Sequence, residues 1–321
     1  MNAVAQPHSE RARPKDEEIE RGSFAPDAPG ADASKLVVAT YNIRYGVGSH
    51  LIGGSLLRRV GRGRPKRRPR LVGQNVERAA RVLSEGALMP RADIVAIQEA
   101  DRGTIRAGGH HVALELARAL GMNFARAHVE TPRDTQPKKK KWWLDFEEHL
   151  TLGEEGDTGV AILSRLALSD AARIELPWRV CAWRPRLALA AVVPLGARRR
   201  LRVFDSHIDT HASVEGQLEQ HSAVLARAGD ACDDEPCIIL GDFNTMTRRS
   251  CEAVRALLES NGFTSPLADD TATWRSGPLR HHFDWIFTRG LRVLRWGVAR
   301  TRGISDHWPV WAEVEAMQPE S

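Results

Sequence analysis

Cysteine is scarce in this chain, with four among 321 residues, at Cys181, Cys232, Cys237 and Cys251, and none forms a C-x-x-C pair. That spacing excludes a disulfide scaffold and a cysteine-built zinc site, and predicts reduced, partly buried thiols. Hydrophobic runs are short, none approaching the length that crosses a bilayer. The first residues lack the apolar stretch of a secretory signal, so the sequence predicts a cytoplasmic protein. Internal repeats are absent, which excludes solenoid and propeller arrays. Apolar periodicity is also missing from residues 1–34, rich in Ala, Pro, Asp, Glu and Arg, and this predicts a disordered N-terminal tail.

What is present is charge, unevenly placed. The chain carries 46 basic and 41 acidic residues. Residues 58–70 hold eight Arg or Lys and no acid, and Lys138 to Lys141 add four more; the remaining 34 cations face all 41 acids, a mildly acidic body with two basic appendages. Such appendages attract polyanions, whether nucleic acid or an anionic membrane surface.

Chemistry concentrates where apolar runs stop. Pro236 to Leu240 leads into Gly241-Asp242-Phe243-Asn244, so that a buried strand ends on a carboxylate and an amide that share one side. A strand followed by an Asx turn would read the same way taken alone. The ending recurs, however. Leu36 to Tyr41 ends on Asn42, Ile94 to Gln98 on Glu99, and Leu201 to Ser206 on His207, whereas Asp284 and Asp306-His307 stand at the start of later strands. Antiparallel neighbours would show that opposite polarity, and it predicts that these residues collect at one sheet edge. In that setting Asp242 can take a proton while Asn244 orients a ligand.

Between the strands, residues 46–70 read as a Gly-rich and Arg-rich loop, Val72 to Leu88 as a crossover helix, Val112 to Leu120 as a helix stopped by Gly121, and Val214 to Ala228 and Cys251 to Ser260 as two more. Leu187 to Val193 and Leu201 to Phe204 read as hairpin partners. Interleaved strands and helices predict a layered α/β domain with mixed sheets over residues 35–317, with basic loop insertions at 46–70 and 131–157.

With Asn42, Glu99, Gly159 to Arg165, His207, Gly241 to Asn244, Asp284 and Ser305-Asp306-His307 in this order, residues 36–315 resemble the endonuclease/exonuclease/phosphatase (DNase I-like) superfamily. The resemblance implies a four-layer α/β sandwich, two packed mixed β-sheets flanked by helices, with a divalent-metal phosphoesterase site at one edge. It implies Glu99 as principal ligand of Mg2+, or of Mn2+ in its place, with Asn42 and Asp306 completing or flanking the ion. Asp242 would activate the attacking water, Asn244 would bind phosphate and orient Asp242, and His307 paired with Asp284 would be the alternative acid/base. His207 would stabilise charge on the phosphorane or protonate the leaving oxygen. Apurinic-site endonucleases of the superfamily carry an acid where this chain has Arg44, which points away from abasic-site repair and leaves Arg44 as a phosphate contact or a surface residue.

The implied reaction is phosphodiester hydrolysis by an endo- or exonuclease acting on DNA or RNA. Alternatives are a phospholipid or inositol-phosphate phosphoesterase, and an inactive nucleic-acid-binding adaptor. Gly61-Arg62-Gly63-Arg64-Pro65 resembles an AT-hook, which sets Arg62 and Arg64 as substrate contacts, and Lys140 within Lys138-Lys139-Lys140-Lys141-Trp142-Trp143 suits either unpaired bases or a membrane interface. A solvated loop and a surface turn are the plain alternatives. Arg165, Arg186 and Asp209 read as structural, as do His110, His111, His128, His149 and His221, while His211, His281 and His282 read as surface or supporting residues.

Overall fold

Consecutive apolar residues in these strands go to different cores. In β2 (Lys35–Asn42), Val37, Ala39 and Tyr41 enter one core and Leu36 and Val38 another. In β9 (Cys237–Asp242), Ile238 and Leu240 join the same core as Leu36, while Cys237 and Ile239 enter a third. Side chains alternate across a strand, so a sheet covered on both faces needs an unbroken apolar run.

The computed structural model describes residues 19–25, 35–48, 67–129, 156–177, 186–195, 199–229 and 235–317. Among these, one seven-stranded sheet runs in the order β1 (Ile19–Gly22), β4 (Asn123–Val129), β5 (Thr158–Ser164), β3 (Ile94–Gln98), β2, β14 (Val310–Ala316), β13 (Leu291–Val298). A five-stranded sheet runs β12 (Asp284–Arg289), β9, β8 (Arg199–His207), β7 (Leu187–Leu195), β6 (Ser169–Glu175), and β10 (Trp274–Ser276) with β11 (Leu279–His281) forms a separate hairpin. The sheets pack face to face over the middle core. Helices α1 (Arg67–Ser84) and α2 (Val112–Leu120) cover the first sheet through Val72, Val76, Leu83 and Leu116, and α3 (Val214–Gly229) and α4 (Arg248–Glu259) cover the second through Val224, Val254 and Leu258. The result is the expected four-layer sandwich. No helix of the described residues is long and apolar enough to cross a membrane.

Two expectations are corrected by this arrangement. Residues 19–22, read as part of a disordered tail, form an edge strand pairing Ile19 with Ala127 and Gly22 with Phe124. Too short to show a period, the segment is held by side chains instead, with Glu20 Oε1 2.8 Å from His111 Nε2. The crossover helix also begins at Arg67, inside the stretch read as a loop, and stops at Ser84 before Gly86 at φ 76°. Gly121 does end α2 in the left-handed conformation, at φ 63°. Residues 1–18 and 26–34 of the tail, the AT-hook-like core at 61–65 and the Lys-Trp segment lie outside the described residues.

Candidate active site

Two parallel pairs and one antiparallel pair set the site. β2 runs parallel to β3 with Asn42 opposite Gln98; β8 runs parallel to β9 with His207 opposite Asp242; and β12 runs antiparallel with Asp284 opposite Asp242. Parity does the rest. Asn42 shares its face with Leu36 and Val38, Asp242 with Ile238 and Leu240, and Asp284 with Ile286, all residues of the inter-sheet core. The polar ends therefore come from both sheets rather than one, and cap the seam between them. Asn42, Asp242, Asp284 and His307 are all under a tenth exposed.

Two hydrogen-bonded groups meet here through close charge contacts. Asn42 Nδ2 donates to Asp242 Oδ2 across the seam at 2.9 Å, and the Asn244 backbone N–H donates to Asp242 Oδ1 at 3.0 Å. His307 Nδ1 donates to Asp284 at 2.9 and 3.1 Å, which turns its Nε2 toward Asp242 Oδ2, 3.8 Å away. On the other side His207 Nε2 lies 3.5 Å from the same oxygen. Asp242 is thus flanked by two imidazoles and held by two N–H donors. The Asn244 side chain does not take part as expected: its Nδ2 donates to the Ile208 carbonyl, and orientation of Asp242 falls to Asn42 and to the Asn244 backbone.

Backbone strain marks the same place. Gln98 faces the inter-sheet seam, so regular alternation would send Glu99 to the opposite face; Glu99 instead sits at φ 56°, which breaks the alternation. Asn244 sits at φ 51° and Arg44 at φ 47°. Non-glycine residues in this region need surrounding structure to hold them, and they cluster at functional sites. Gly241, at φ 144°, answers a different need, because a Cβ there would stand 2.0 Å from the Ser206 carbonyl oxygen on β8. Only glycine lets β8 and β9 bring His207 and Asp242 side by side.

The electrostatics follow from burial and crowding. Burial pushes the Asp242 carboxyl up to about 7, and the Asp284 and Glu99 carboxylates add to this, while His307 and the Asn42 amide oppose it. Burial works against charge on His307, yet the carboxylates of Asp284, Asp242 and Asp306 outweigh it and hold the imidazole protonated, up to about 10. Below, Asp205 accepts from Gln98 Nε2 at 2.7 Å, linking the two sheets, and burial keeps its carboxyl well above the usual range.

Acidic oxygens dominate this edge. Ligand atoms of Asp242, Asp284 and His307 lie within 4.8 Å of one another, and Glu99 and Asp306, outside that group, act on it through their charge. Buried carboxylates repelling one another fit a hard divalent cation, which takes oxygen donors and would relieve the repulsion. Arg44 is neither on the surface nor extended outward. Its Nε lies 3.5 Å from Asp306 Oδ2, its Nη1 donates to the Gly48 carbonyl, and its backbone N–H donates to Asn42 Oδ1.

Some site residues were not assigned from the sequence. Arg186, read as a structural ion-pair partner, donates from Nη1 to His207 Nδ1 at 3.2 Å; a guanidinium only donates, so His207 carries its proton on Nε2, toward Asp242. No strand-end signal precedes it. Ser305 Oγ donates to the Asn42 carbonyl and accepts from the His307 N–H, and Thr273 Oγ1 accepts from the N–H groups of Phe283 and Asp284. Asp205 was legible in principle, since it precedes His207 by two and shares its face. Elsewhere, Arg165 pairs with Asp93, His110 with Glu115, His111 caps α2, His221 and His282 pack against Phe243 and Trp285, and Asp209 Oδ1 accepts from the His211 N–H. Arg62, Arg64, Lys140 and His149 lie outside the described residues.

The model of the endonuclease/exonuclease/phosphatase family matches residues 39–307, from within β2 to His307. The chain belongs to this family. Its members hydrolyse phosphoesters and generally depend on a divalent metal. Among solved structures, an endonuclease/exonuclease/phosphatase from Beutenbergia cavernae is 18% identical, with 88% of this chain and 72% of that chain covered and a TM-score of 0.61. TDP2 of D. rerio complexed with single strand DNA product is 18% identical, covering 88% of this chain and 100% of its own, with a TM-score of 0.53. ANGEL2, a 2',3'-cyclic phosphatase, is 14% identical, covering 87% and 95%, with a TM-score of 0.56. At these identities the likeness is one of fold. No curated protein matches the sequence.

Proposed function

We propose that this protein is a divalent-metal-dependent phosphodiesterase that cleaves nucleic acid. The observation carrying the proposal is the buried chain from Asn42 through Asp242 to His307 and Asp284, which pairs a near-neutral carboxyl with a protonated imidazole. Two titratable groups driven apart by their surroundings divide acid and base roles. Asp242, pushed up to about 7, is the general base that takes the proton of the attacking water. His307, held protonated by Asp284, donates a charged hydrogen bond to a phosphoryl oxygen. His207, with its proton on Nε2 and Arg186 behind it, faces the leaving oxygen. Glu99 and Asp306, with Asn42, would hold Mg2+. When bound, the ion neutralises charge on the phosphoryl group and helps orient the water.

Nucleic acid is favoured over a lipid or inositol phosphate by the basic composition of the chain and by the single strand DNA product bound to the similarly folded TDP2. The test is a panel of single-stranded DNA, RNA, plasmid, sphingomyelin and inositol phosphates, each with Mg2+ and with chelator. Chelator-sensitive cleavage of DNA or RNA is expected. Turnover confined to sphingomyelin or inositol phosphates would contradict the assignment.

A further inference from the structure

Beside the catalytic edge, a groove of about 400 Å³ runs between α1 and the loop from Ala299 to Ile304. Its wall carries Arg78, Arg81, Arg300 and Arg302, all exposed, against one acid, Glu85. None of the four is ion-paired with a carboxylate among the described residues. Arg78 hydrogen-bonds only neutral partners, the Arg302 carbonyl at 2.7 Å and Asn75 Oδ1 at 3.4 Å, which fix its position and leave its charge uncompensated. The floor is apolar, formed by Val82, Leu88, which is 52% exposed, and Ile304.

The loop that walls the groove leads directly into the site. Ile304 precedes Asp306 by two residues, and the Arg300 guanidinium stands 5.8 Å from the ring centroid of Trp308, the neighbour of His307. Arg78 and Arg81 follow one another down α1 by about 4.5 Å, three residues at the helical rise. A row of uncompensated cations leaving a phosphoester site matches a chain of further phosphates. An apolar floor between them matches bases that are not paired. An anionic membrane is the competing partner for cations around an exposed leucine, and vesicles therefore form one arm of the test.

Building on the hydrolase reading above, we propose that the Arg78, Arg81, Arg300 and Arg302 groove binds single-stranded nucleic acid next to the scissile phosphate. Its arginines hold successive phosphates, and Leu88 and Val82 contact an unpaired base.

The test uses the full chain in chelator, a fluorescein-labelled oligothymidylate and anisotropy over a KCl series. The double variant Arg81→Ala, Arg302→Ala removes two exposed side chains without touching the Arg78 hydrogen bonds. Binding is expected to weaken about tenfold near ~50 mM salt, and the salt slope to fall by roughly 1.4, two contacts at about 0.7 each. Arg81→Lys, Arg302→Lys is expected to restore most of both. Turnover of bis(p-nitrophenyl) phosphate with Mg2+ should be unchanged in both variants, which also checks folding. Unchanged oligothymidylate affinity and slope in the alanine variant would overturn the groove. So would equal affinity for a duplex of the same length, or a loss seen on phosphatidylserine vesicles and not on the oligonucleotide. If the wild type cleaves neither substrate while the arginine-dependent binding persists, the hydrolase reading fails and the groove stands. If cleavage occurs and binding ignores the arginines, the reverse holds.

Discussion

His307 owes its charge to its neighbours more than to its own chemistry. Burial alone would strip the proton; Asp284, at 2.9 Å from Nδ1, is the carboxylate that does most to prevent this. Asp284→Asn is therefore expected to keep the hydrogen-bond geometry while lowering the His307 titration from about 10 toward or below the ordinary histidine range. Two-dimensional NMR of the imidazole in chelator would follow it. A titration that stays near its wild-type value would mean that Asp284 only positions the ring. A histidine raised in the fold contributes stability that is full below pH ~6.5 and is lost as pH rises through about 10, so Asp284→Asn should remove that alkaline loss as well.

At the scale of elements, buried histidines tie the outer layers to pH in the opposite direction. His221 on α3 is fully buried against Phe243, with ring centroids 4.5 Å apart, and burial lowers it to about 3. His282, stacked on Trp285, is lowered to about 4 by burial. Both are neutral in the fold, so the stability they contribute is present above pH ~6.5 and is lost as pH falls toward 3 to 4. His221→Leu is expected to flatten urea-unfolding stability against pH over that window by on the order of one kcal/mol per pH unit. An unaltered slope would place the acid sensitivity elsewhere. The strands themselves were legible because their apolar runs serve two cores at once. Helix starts were less so, since α1 opens with Arg67, Arg68 and Arg70, whose charge hides its helical period.

Across the whole molecule, the reading from sequence recovered the sandwich, and it anticipated which polar residues gather at its edge better than how they are wired. Strand-end polarity located Asn42, Glu99, His207, Asp242 and Asp284, because residue type and chain position are both visible in one dimension. What escaped were contacts created by packing two sheets: the Asn42 to Asp242 bond spans 200 residues, the Asn244 side chain turns to Ile208, and Arg186 reaches His207 from the start of β7. β1 escaped because four edge residues carry no period, and what fixes them is pairing with β4 and the contact of Glu20 with His111, both long-range.

All layers converge on Asp242, where both sheets, two imidazoles and two N–H donors meet. The most direct test is single-turnover cleavage of a labelled single-stranded oligonucleotide at pH ~7.5 with Mg2+, comparing the wild type with Asp242→Asn. The substitution keeps the acceptor for Asn42 and removes the base. The rate is expected to fall by about two to four orders of magnitude with substrate affinity retained. A variant that cleaves at the wild-type rate would contradict the assignment of this edge as the catalytic centre.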